Sequence, residues 1–111
     1  MTDESRVVVV LVTAPSADEA ARIGRILVEE RLAACVNVVG PIRSIYRWQA
    51  KIEDEQEHLM LVKARHVDVD AVAARVRAVH PYDVPEVIAL DVTGGSTPYL
   101  AWLLESTTRS G

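Results

Sequence analysis

Three histidines and a single cysteine are the side chains in this chain of 111 residues best suited to holding a soft metal ion. Imidazole nitrogen is a common ligand for copper, zinc and nickel. His80 is the best placed of the three, ending an apolar-periodic segment directly before the rigid stretch Pro81-Tyr82-Asp83-Val84-Pro85. One histidine makes a weak site, so a metal centre here has to gather further ligands from a neighbouring subunit. The alternative is a helix-terminal histidine facing the last carbonyls of its helix. His58 and His66 have less in their favour, and Cys35 stands in an apolar run where a buried thiol is inert. Glu53, Asp54, Glu55 and Glu57 offer carboxylate oxygens to hard cations but lack EF-hand spacing and a glycine turn. They read as a solvated edge opposite Arg43, Arg47 and Lys51.

Tyr82, Asp83 and Glu86, with Lys63 from an earlier strand, admit two readings. They are acid/base groups in a cleft, or polar groups that bond backbone across a subunit boundary at a bend fixed by Pro81 and Pro85. The second is preferred. Tyr46 and Trp48 read as interface anchors, because aromatics with one polar atom suit subunit contacts. No C-x-x-C, H-E-x-x-H, P-loop or G-x-S-x-G segment is present. The expectation is a binding protein rather than an enzyme, with no obligatory cofactor.

Net charge and chain length narrow the partners. A formal charge of −4 argues against phosphate neutralisation, so nucleic acid is an unfavoured ligand. Residues Met1 to Arg6 lack the apolar run of a signal peptide, and the apolar stretch Val7 to Val12 is too short to span a bilayer. A cytoplasmic protein without membrane association is expected. The lone Cys35 excludes an internal disulfide. A single domain over 1–111 follows from the length, with an ordered core of about 7–105 and short flexible termini.

The elements that must position these residues are legible in order. Val7 to Thr13 is a β-branched run of the kind buried on both faces, ended by Ala14-Pro15. Ser16 precedes Glu19 by three residues, a capping box, and Ala20, Ile23 and Leu27 mark one face of a helix over Ala17 to Arg31. Leu32 to Val39 is apolar and stops at Gly40-Pro41. Ile42, Ser44, Tyr46, Trp48 and Ile52 then alternate with charged residues, predicting a long hairpin that turns near Ala50-Lys51 with basic and acidic arms facing each other. Asp68 caps a second helix ending at His80, Val84 to Thr93 is a further strand, and Thr97 to Glu105 a terminal helix.

The order β-α-β-β-α-β plus a helix is the ferredoxin-like split βαβ motif of the α+β class, an antiparallel sheet with both main helices on one face. Hairpin arms of about a dozen residues are long for a lone domain. Part of the hairpin should project and expose Ile45, Tyr46 and Trp48, so another subunit is expected to cover them. An acylphosphatase on this fold needs an Arg-bearing phosphate loop that Thr13-Ala14-Pro15-Ser16 does not supply. An RNA-binding sheet needs aromatic-rich strands that are absent.

Three segments resemble one family: Pro41-Ile42-Arg43-Ser44-Ile45-Tyr46-Arg47-Trp48-Gln49, His80-Pro81-Tyr82-Asp83-Val84-Pro85-Glu86-Val87-Ile88, and Tyr99-Leu100-Ala101-Trp102-Leu103. They are similar to CutA, the divalent-cation tolerance proteins, as is Leu32-Ala33-Ala34-Cys35-Val36-Asn37, so the likeness runs from about Val8 to Leu104. It implies a homotrimer whose hairpins join sheets between subunits, and a role in tolerance of copper and other divalent metal ions. Some members carry Cys where this chain has Val12 and a His-His pair where it has Val79-His80, so a copper site using all of those groups cannot form here. Gly often follows the hairpin Trp-x where this chain has Ala50, which would be strained if the turn needs φ > 0. The alternative function is a trimeric small-molecule sensor or interaction scaffold with ligand clefts between subunits.

Overall fold

A computed structural model describes residues 2–109. Of the termini expected to be flexible, outside about 7–105, residue 1 and residues 110–111 lie outside the described residues. Four strands and three α-helices follow in the expected order: β1 Val7–Ala14, α1 Ala17–Glu29, β2 Cys35–Trp48, β3 Lys51–Arg65, α2 Val69–Val79, β4 Ile88–Asp91 and α3 Thr97–Ser106. The sheet runs β2-β3-β1-β4 with every neighbouring pair antiparallel. This is the split βαβ arrangement of the α+β class.

Alternation along the strands sorts the sheet into two faces. Val8, Val10, Val12, Met60, Val62 and Ala64 point to one side and close against Ala20, Ile23 and Leu27 of α1 and Val72 and Val76 of α2. Each valine, leucine, isoleucine or methionine among them contributes roughly 1.5–3 kcal/mol when fully removed from water. α1 lies close on the edge strand: a Cβ on Gly24 would stand 3.1 Å from Val36 Cγ1. The other face carries the odd-numbered residues of β1 and β3 with Ile88 and Leu90 of β4 and, apart from α3 at one end, is open.

Local chemistry sets the element ends. Ser16 Oγ accepts the Glu19 N–H at 3.1 Å, one half of the expected capping box, while the Glu19 carboxylate turns instead to Arg22 at 2.7 Å. α1 stops at Glu29, two residues short of expectation, because Arg31 adopts φ 59° and the Leu32 and Ala33 amides fold back onto the Leu27 carbonyl. Asp68 precedes α2 without making a side-chain cap bond, since its carboxylate is taken by Arg109. β4 is shorter than the Val84 to Thr93 expectation; the residues before Ile88 form an irregular loop around Pro85.

The hairpin departs from expectation in two places. β2 runs straight through Gly40-Pro41, where the register slips so that Val39 faces Leu59 and Ile42 faces Glu57. Two residues thus oppose His58, a bulge on an edge strand where a proline lacking its N–H is tolerated. The approach there is so close that a Cβ on Gly40 would fall 2.4 Å from His58 Cδ2. The turn is Gln49-Ala50, one residue earlier than read, and both residues hold positive φ, 48° and 67°. Two left-handed residues match the twist of the arms, so Ala50 does occupy a position that favours glycine. Basic and acidic arms face each other as expected, with Arg43 bonded to Asp54 at 2.6 and 2.8 Å. The hairpin stretches the chain to 43 Å in its longest dimension and leaves Ile45, Tyr46, Trp48 and Ile52 exposed.

Candidate functional site: an aromatic and carboxylate cluster beside an open sheet face

α2 delivers His80 to the end of β1, and the imidazole turns inward, 8% exposed. Its Nε2 lies 2.8 Å from the Thr13 carbonyl, and its Nδ1 accepts the Tyr82 N–H at 3.0 Å. Acceptance at Nδ1 places the ring proton on Nε2, which donates to Thr13. Both nitrogens are therefore engaged, and neither bond goes to the last carbonyls of α2. His80 pins the loop after α2 to β1, and the Tyr82 ring packs on it with centroids 4.6 Å apart.

From there Tyr82 reaches across to β3, where its hydroxyl donates to Glu57 Oε2 at 2.8 Å. Glu57, expected on a solvated edge, is only 6% exposed. Its burial arises when residues 81–87 fold over β3, a long-range event with no signal in the acidic run itself. Glu86 sits partly buried in the same loop, and burial, with the Glu57 charge second, pushes its carboxyl above the ordinary range. Burial and the bond to Glu57 raise the Tyr82 phenol. Two residues along β3, Tyr46 donates to Glu55 at 2.8 Å, and that bond leads the causes that push its phenol up to about 12. Both tyrosines thus remain protonated donors over the physiological pH range.

Of the residues expected in a cleft, Tyr46, Tyr82 and Glu86 gather around Glu55 and Glu57. Trp48 stands at the hairpin tip and Asp83 is exposed in the loop. Lys63 is on β3 six residues from Glu57, about 20 Å along the strand. It meets Asn37 Oδ1 instead. Cys35, expected to be buried, is half-exposed beside them, its Sγ 3.8 Å from Asn37 Oδ1. His58 lies against Gly40 with a buried Nδ1 that has no hydrogen-bond partner. Among the described residues, no three His, Cys, Asp or Glu side chains converge as a metal site requires.

The open sheet face adjoins this cluster. The register aligns Asn37, Leu61, Leu11 and Ile88 in one row, Val39, Leu59 and Thr13 in the next, and Cys35, Lys63, Val9 and Leu90 in a third. Val39, Ile88 and Leu90 are 45–51% exposed. β2 and β4 border this face as edge strands whose outer backbone groups are unpaired within the sheet.

Residues 8–106 match the family model described as CutA1 divalent ion tolerance protein. The chain belongs to the CutA family. It is 50% identical over 99 residues to the divalent-cation tolerance protein CutA of Thermus thermophilus, covering 89% of this chain and 96% of that protein. Human Protein CutA is also 50% identical, over 96 residues, but the chain spans only 54% of its length. The crystal structure of CutA1 from Oryza sativa superposes with a TM-score of 0.92 at 42% identity, covering 98% of this chain and all of that one. The fold and family expected from the hairpin, loop and α3 segments are thereby established. Among the described residues, no helix is long and apolar enough to cross a membrane.

Proposed function

We propose that this CutA protein works as a homotrimer in the tolerance of divalent metal ions, copper among them, binding such ions weakly and catalysing no reaction. The observation that carries the assembly is the open sheet face, whose apolar rows end in two unpaired edges and an overhanging hairpin. An apolar patch of this kind on a soluble chain calls for a partner surface. A second copy supplies one of matching chemistry, with aromatic anchors at Tyr46 and Trp48. Closing three copies in a ring satisfies both edges without leaving a free end.

Metal binding follows from family membership rather than from a formed centre. His80 can ligate an ion only by exchanging the Tyr82 N–H for it, and further ligands must come from another subunit. Weak, assembly-dependent binding is the consequence. A second reading, a small-molecule sensor, is favoured by Glu57 and Glu86, since carboxylates held under a folded-over loop form a polar wall that an incoming subunit would complete. Lys63, Asp83 and Trp48, dispersed within one chain, would line such an inter-subunit cleft.

Native mass spectrometry with and without stoichiometric Cu²⁺ tests the proposal. Retained copper adducts on a trimer that weaken in His80→Ala support metal binding. A trimer that retains no copper, yet is stabilised by a metabolite in a thermal-shift screen, moves the function to the sensor.

A further inference from the structure

α3 lies on the open side of the sheet and is the helix least suited to water. Its only charged residue is Glu105, whereas α1 carries Asp18, Glu19, Arg22, Arg25 and Glu29. A helix of this composition is expected to be covered on more than one side. Within the chain it is covered on one, where Leu103 closes over Val7 and Ala34 with Leu100 and Leu104 packed beside it. Arg65 donates to the Leu104 carbonyl at 2.7 Å and to Thr107 Oγ1 at 2.9 Å, and Thr107 is buried, so α3 is a fixed platform at one end of the open face. Its outer side presents Tyr99 and Trp102, tilted rings with centroids 5.4 Å apart, each 44% exposed.

The other end of that face is aromatic too. Tyr46 pairs with Glu53 and Trp48 with Lys51, odd-numbered members of β3, so both rings continue the open face out along the hairpin, where they stay exposed. Lys51, beside Trp48, and Arg65, beneath α3, are the two ends of β3. A strand of that length spans roughly 40 Å, so the hairpin tip cannot meet the α3 of its own chain.

We propose that α3 is the seat for the hairpin of a second copy, with Trp48 of one chain packing on the Tyr99–Trp102 pair of the next. This rests on the self-association proposed above and names a contact within it. Joining the unlike ends of one face is a head-to-tail contact, the kind that closes copies into a ring. Aromatic rings gain from packing on one another beyond the area they bury. A platform already fixed by Arg65 and Thr107 loses little freedom when it is covered.

Sedimentation equilibrium and tryptophan quenching on the full chain test this. Trp48→Ala and Trp102→Ala are each expected to raise the chain concentration of half-assembly at least about thirtyfold. The double variant should fall short of the product of the two effects by about threefold to tenfold. Trp48→Phe keeps a ring on the hairpin and leaves Trp102 as the one tryptophan. Its emission should resist acrylamide in the assembly and become quenchable as the chains separate. A parent that sediments as a single chain overturns the self-association and this contact together. An assembled parent overturns the contact alone if Trp102→Ala leaves assembly unchanged, if the two alanine effects simply multiply, or if acrylamide reaches Trp102 in the assembly as freely as in separated chains.

Discussion

The Tyr82 hydroxyl donates to the Glu57 carboxylate across 2.8 Å, joining the loop after α2 to a strand 25 positions earlier in the chain. Together with the His80 bonds to Thr13 and Tyr82, it makes that loop a fixed wall beside the open sheet face. Whatever assembles or binds there meets a surface already organised in the single chain, so ordering that loop costs little on association.

Tyr82→Phe removes the hydroxyl and leaves a buried carboxylate short of its donor, a loss of about 1–3 kcal/mol. Urea unfolding should report a lower midpoint with an unchanged slope. Glu57→Gln keeps an acceptor and removes the charge that faces Glu86, so its loss should be the smaller of the two. A Tyr82→Phe protein as stable as the parent would mean that the bond does not hold the loop.

Glu86 gives a pH dependence of defined sign. Its folded carboxyl is raised above the ordinary value of 4.5 by burial and by Glu57. The folded state therefore binds the proton more tightly than the unfolded chain, and stability attributable to this group rises as pH falls through the raised value toward 4.5. Glu86→Gln should exceed the parent in thermal stability at pH 7, and the advantage should vanish below pH 4.5. An advantage that persists or grows in acid would contradict the placement of Glu86.

Much of this was legible in the chain. β-branched runs, the Ser16 cap and the apolar face of α1 each depend on neighbours within a few residues, so β1 and α1 were readable to within two positions. Gly40-Pro41 looked like a strand end because both residues are local breakers, yet β3 supplies a partner long enough to carry the ladder past them as a bulge. The burial of Glu57 was hidden for the same reason in reverse: a run of four acids reads as solvated until Tyr82, distant in sequence, covers one of them. Asp68 showed the pattern of a cap, and only the folded chain brings Arg109 to claim its carboxylate.

The turn offers a stabilising change. Ala50 at φ 67° pays the left-handed penalty of an L-residue, roughly 1–2 kcal/mol. Ala50→Gly relieves it at a smaller cost in unfolded-state entropy, for a net gain of about 0.5–1 kcal/mol. The thermal midpoint should rise, and a fall would show that the turn does not require positive φ.

Gly40→Ala tests the bulge from the opposite side. The added methyl would sit 2.4 Å from the His58 ring, which cannot give way without unpacking from the strand. Overpacking of this kind costs about 1–3 kcal/mol. Gly40→Ala combined with His58→Ala should recover part of that loss in thermal unfolding; a double variant no better than the single would place the clash elsewhere.

Self-association through the open sheet face is the claim on which the proposed function rests, and sedimentation equilibrium of the chain and of Leu61→Glu measures it most directly. The parent should sediment at three chain masses and the variant shift toward one, because its carboxylate stands in the central apolar row. A parent that sediments as a single chain, or a Leu61→Glu protein that keeps the full assembly, would contradict it.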